Sequence, residues 1–110
     1  MTLAVFAAII SACSVATYQE RLDYLRTVAS RGAETHALIQ SQEAPITPER
    51  CADAYEAIND SSTAPSDMAG GGQSPVWRSQ IKAFFVDSCV SGKPRSAVAS
   101  DVPAPPTPNS

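Results

Sequence analysis

Residues 74–94 read SPVWRSQIKAFFVDSCVSGKP. This stretch decides the fold class. Ser74 is an N-cap residue and Pro75 suits the first helical position, where its missing N–H costs nothing. Gly92 is a natural C-cap, and Pro94 bars continuation. Between these signals Trp77, Ile81, Phe84, Phe85 and Ser88 fall on one broad helical face, with Cys89 at its edge. The aromatic members supply the largest packing area in the chain, so the stretch predicts a core helix.

The upstream segments repeat the pattern. In EAPITPERC, Pro45 disfavours helix before it, Thr47 is an N-cap, Pro48 sits at the first position and Glu49 meets the positive helix end. A helix from Pro48 to about Asn59 follows, with Cys51, Ala54, Tyr55 and Ile58 as its apolar stripe. A longer helix should begin between Ser14 and Tyr18 and run to about Ser41. Tyr18, Leu22, Leu25, Ala29, Gly32, His36 and Ile39 recur at steps of three or four. Ala29, Gly32 and Ala33 flatten part of that stripe, which lets another backbone approach. Glu20, Arg21, Asp23, Arg26, Arg31 and Glu34 fall mostly off it and are expected in solvent. Tyr18, Tyr24, Tyr55 and Trp77 read as core.

The connections are read from composition. Asp60 to Gln73 holds small polar residues, a proline and three consecutive glycines, and is expected to be a flexible loop. It lacks the Lys-Ser/Thr ending of a phosphate loop. Residues 94–110, PRSAVASDVPAPPTPNS, contain five prolines and are expected to be disordered. The expected fold is an all-α bundle of three helices over residues 14–93.

The N-terminal FAAIISACSVATYQ, residues 6–19, has a different character. Leu3 to Ala12 is uncharged and apolar or small. It is about half the roughly 20 residues that a membrane-crossing helix needs, and fits the apolar core of a signal peptide. Only Met1 and Thr2 precede it, where such peptides carry Lys or Arg. Ile10-Ser11-Ala12-Cys13 resembles the bacterial lipobox: an aliphatic residue, two small residues, then cysteine. The resemblance covers about a sixth of the chain, and the whole is similar to small bacterial lipoproteins, including those of actinobacteria and their phages. It implies that residues 1–13 form a signal peptide ending at the lipobox cysteine. Cys13 would carry a diacylglyceryl group, then palmitate-type acylation, and become the first mature residue. Two or more acyl chains on one residue anchor stably. Alternatives are cleavage after Ala16, which would give a secreted chain, and an uncleaved anchor or ordinary helix with Cys13 buried.

A lipobox places the domain on the extracytoplasmic face of a cell membrane, where disulfides persist. With Cys13 lipidated, Cys51 and Cys89 remain, and two cysteines make one bridge. Cys51 lies in the first turn of one helix and Cys89 in the last turn of the next. If those helices are antiparallel, the two meet. Closing a loop of about 39 residues contributes roughly 4 kcal/mol in the chain-entropy model.

Chemistry is sparse. The chain has one histidine, three cysteines and a formal charge of −3. That balance offers no basic face for nucleic acid, and no zinc-type ligand spacing occurs. His36 continues an apolar stripe. Asp53, Glu56 and Asp60 read as solvated surface. No catalytic residue, metal or cofactor is assigned. The expected function is that of a lipid-anchored cell-envelope binding or accessory protein, with an unknown envelope protein as partner. One alternative is a phage lipoprotein acting in lysis or superinfection exclusion. The other is a small secreted enzyme or enzyme subunit using His36, which an exposed pocket at that residue would favour.

Overall fold

The computed structural model describes residues 15–58 and 64–104. Three helices appear among them: α1 (Tyr18–Ser41), α2 (Pro48–Ile58) and α3 (Pro75–Ser91), followed by a short 3-10 turn at Ala99–Asp101. No strand occurs among the described residues.

Each helix starts where its cap dictates. Thr17 and Glu20 form a reciprocal capping box on α1: the Glu20 N–H donates to Thr17 Oγ1 at 3.1 Å, and the Thr17 N–H donates to Glu20 Oε1 at 3.2 Å. The Arg50 N–H donates to Thr47 Oγ1 at 3.1 Å, and the Trp77 N–H to Ser74 Oγ at 3.2 Å. α1 ends in a Schellman turn. Ala44 N–H reaches Ile39 O and Glu43 N–H reaches Gln40 O, with Glu43 left-handed at φ 56°. α3 stops at Gly92, left-handed at φ 78°.

The helices run up, down and up. Tyr24 stands 6.4 Å from Trp77 between ring centroids, and His36 lies beside Cys89, so α1 and α3 are parallel. Cys51 meets Cys89, and Tyr55 meets Phe85 at 5.3 Å, so α2 and α3 are antiparallel. The main contact is α1 on α3, while α2 packs on α3 and touches α1 little. Gly32 sits at the α1–α3 crossing. A Cβ there would overlap the Phe85 carbonyl oxygen and come within 2.9 Å of Ser88 Cβ. The flat stripe thus permits the close approach for which its small residues are suited.

The core comprises Leu22, Leu25, Val28, Ala29 and Ile39 from α1, Cys51 and Tyr55 from α2, and Trp77, Ile81, Phe84, Phe85 and Cys89 from α3. Three expectations at its edge need correction. Tyr18 is 42% exposed and Ile58 50%, because each lies at a helix end beyond the neighbour that would cover it. Arg21, expected in solvent, is buried at 4% exposure.

The larger correction concerns the segment after α3. Residues 94–104 are not a free tail but a strap returning along α3 to the start of α1. The Arg95 N–H donates to the buried Ser88 hydroxyl at 2.8 Å, and the Arg95 guanidinium stacks over Phe84 at 4.1 Å from the ring centroid. It also pairs with Asp87 at 2.7 Å and Asp101 at 3.5 Å. Val102 is buried in the core. Gln80 Nε2 donates to Asp101 O at 2.7 Å, and Arg21 donates to Pro103 O at 2.9 Å. Prolines do not prevent this, because an extended strap satisfied by side chains needs no ladder of its own N–H groups. The packed domain therefore extends to Ala104; residues 105–110 lie outside the described residues.

Candidate functional site

The two ends of the bundle hold the residues with any capacity for chemistry or recognition. At the far end, where α1 stops, Cys51 and Cys89 form a disulfide with Cα atoms 5.9 Å apart. Both cysteines are fully buried. The antiparallel α2–α3 pair brings the first turn of one helix to the last turn of the other, as the spacing predicts.

His36 lies next to this bridge. Its Nδ1 is 2.7 Å from the Cys89 carbonyl oxygen, so that nitrogen carries the proton and donates. The ring packs close to Gly92, where an added Cβ would fall 3.0 Å from it. An imidazole satisfying a carbonyl in the last turn of α3 closes that helix end. His36 does not line the grooves between α2 and α3 or between α1 and α2 described below.

The carboxylates do not converge. Asp53 and Glu56 are exposed on α2, and Glu56 pairs with Lys82 at 3.2 Å across to α3. Asp60 and Cys13 lie outside the described residues. No three His, Cys, Asp or Glu side chains among the described residues gather as a metal-binding group. Tyr55 is a buried titratable group. Burial, then the neighbouring Tyr24 and Glu56, push its phenol up to about 12.

At the near end, where α1 starts, the loop before α3 is folded, which corrects the expectation of a flexible connection for residues 64–73. Residues 59–63 lie outside the described residues. Asp67 is fully buried, and its carboxylate accepts from the Ser74 N–H at 2.7 Å and from the Ser74 hydroxyl. Ser74 in turn caps α3, so Asp67 holds the cap in place. Trp77 Nε1 donates to Pro65 O at 2.8 Å, Gln73 Nε2 to Ala64 O at 3.0 Å, and the Ala16 N–H to Ser66 O at 2.9 Å. The turn that brings Asp67 inward runs through Gly70, Gly71 and Gly72 with φ of 89°, 96° and 90°. Three consecutive left-handed positions are accessible without strain to glycine alone. The glycine run is a structural turn.

Asp67 and Arg21 are the residues that sequence reasoning missed. The signal for Asp67 was present in part: an acidic residue, a triple glycine and an N-cap serine within eight positions. For Arg21 there was none, since its acceptor is 82 residues away.

Two of the surface grooves lie between helix pairs. One, of about 320 Å³, lies between α2 and α3 and is lined by Tyr55, Gln73, Arg78 and Lys82. The other, of about 510 Å³, lies between α1 and α2 at the far end, with Leu38, Pro45, Ala54 and Ile58 in its wall and Glu49, Arg50 and Asp53 beside them. Leu38 is 51% exposed there. No helix among the described residues is long and apolar enough to cross a membrane. Comparison with protein-family models, with curated proteins and with solved structures finds no match for this chain.

Proposed function

We propose that the protein is a lipid-anchored binding or accessory module of a bacterial cell envelope, held to the extracytoplasmic membrane face through Cys13 and acting without catalysis. The observation that carries this reading is the pairing of two features. Ile10-Ser11-Ala12-Cys13, which resembles a lipobox, follows an apolar run, and the domain that starts four residues later, at the Thr17 cap, is stapled by a disulfide. Disulfides persist outside the cytoplasm, where a lipobox sends its domain. The engagement of His36 with the Cys89 carbonyl supports a structural role for the only histidine. The partner is an envelope protein, and the far-end groove around Leu38 is offered to it on the side away from the anchor.

Intact-mass analysis of the membrane-extracted protein tests the anchor. The expected chain begins at Cys13 with added acyl mass, and Cys13→Ala moves the protein out of the membrane fraction. A mature chain beginning at Thr17 would overturn the reading.

A further inference from the structure

The chain segments that meet at the near end expose no charge of their own. Residues 15–19, 64–76 and 102–104 gather where α1 and α3 begin. The Ala16–Ser66 backbone bond, the Trp77–Pro65 bond and the Arg21–Pro103 bond join them. Charged residues make up 17% of the chain, yet within these three segments only Asp67 is charged, and it is fully buried. Their exposed surface is neutral: Tyr18 at 42% and Val76 at 64% exposure, with the loop tip at Ala69 and Gly70. At the far end Glu43, Glu49, Arg50, Asp53 and Lys93 are all exposed.

We infer that the near end is a membrane-contact face, which lays Tyr18, Val76 and the Met68–Gly72 turn against the interfacial region of a lipid bilayer. This rests on the anchor reading above. From Cys13 to Thr17 the chain spans at most about 14 Å, so a lipid on Cys13 holds this end against the headgroups. Such contact is unfavourable for exposed charges that must shed water; the three segments expose none, and the exposed charges next to them are Glu20, whose carboxylate accepts from the Thr17 N–H, and Arg78. A tyrosine with an apolar ring and a polar hydroxyl suits the interfacial depth. The face has no basic cluster, so its contact with lipid does not depend on anionic headgroups. α1 is about 36 Å long at 1.5 Å per residue. It therefore carries the charged far end and its groove clear of the bilayer.

Full-length lipidated protein reconstituted in phosphatidylcholine vesicles provides the test. Single reporter cysteines at Val76→Cys and Met68→Cys for the near end, and Asp53→Cys and Lys93→Cys for the far end, receive an environment-sensitive fluorophore. The vesicles contain a lipid with a nitroxide quencher near the headgroup. Quenching at positions 68 and 76 is expected to exceed that at 53 and 93 by at least fivefold. The ratio should survive both added phosphatidylglycerol and high salt. Equal quenching at both ends, in protein that still floats with the vesicles, would overturn the contact face and leave the anchor standing. A ratio that collapses in salt would show headgroup charge pairing and also overturn it. Failure to float would remove the anchor, and the contact face with it.

Discussion

At the far end of the bundle a covalent bond joins α2 to α3; at the near end three chain segments meet only through hydrogen bonds and packing. The far end is built from neighbours of ordinary type: a cysteine pair, a glycine cap and a histidine on a carbonyl. The near end depends on a buried carboxylate, Asp67, and a buried guanidinium, Arg21, neither facing an opposite charge at bonding distance among the described residues. Buried charges are costly unless hydrogen-bonded. Asp67 is satisfied by Ser74, whereas Arg21 keeps one bond to Pro103 and leaves Nε without a partner among the described residues. The covalent end thus stabilises largely through the unfolded state, and the polar end through the completeness of its bonds. A small domain of this size has little surplus from its core alone, so both matter.

The largest effect should come from breaking the covalent end. Cys89→Ser is expected to lower stability by about 2–5 kcal/mol, because the unfolded chain regains the entropy that the bridge removes. Chemical denaturation measures the loss, and Cys51 should become reactive to a thiol reagent. A non-reducing peptide map of the native protein should contain Cys51 linked to Cys89. Two alkylatable thiols in the native, oxidised protein would contradict the bridge.

Breaking the polar end should come next. Asp67→Ala leaves the Ser74 N–H and hydroxyl without their acceptor in a buried site, a loss of about 2–3 kcal/mol. Hydrogen exchange should show the first turn of α3 and residues 64–73 opening together, with the disulfide end still protected. Uniform loss of protection along the whole chain would mean that the two ends are not separable.

The strap sharpens the comparison at a smaller scale. Val102→Ala removes two buried carbons and should lower stability by about 1.5 kcal/mol. Removal of residues 96–110 should lower the melting temperature by several degrees. An unchanged melting temperature would show that the strap merely rests on α3.

The smallest effect is on pH. Tyr55 belongs to the far half, against Phe85, and its folded pKa lies above that of an unfolded tyrosine. The unfolded phenol loses its proton first, so the contribution is complete below about pH 10 and declines as pH rises toward about 12. Tyr55→Phe should flatten that alkaline decline in a denaturation series. An identical decline in both proteins would assign it to other groups.

The helices, the caps at Thr47, Ser74 and Gly92, and the cysteine pairing are legible in the sequence. Thr47, Ser74 and Gly92 act on N–H and C=O groups within a few positions, and the apolar stripes repeat every three or four residues, so the information is local; the Thr17–Glu20 box on α1 emerged only from the structure. Cys51 and Cys89 became legible because their helix positions follow from those same bounds. The strap and the near end arise from tertiary contacts. Five prolines in 94–110 point to disorder when read by composition. Residues 94–104 are nevertheless held by Phe84, Asp87, Ser88, Gln80 and Arg21, which lie as far as 82 residues away. Asp67 likewise reads as a loop residue until the Gly70–Gly72 turn carries it inward. A long-range hydrogen bond leaves no periodicity in the chain, because it requires only that two groups arrive at the same place.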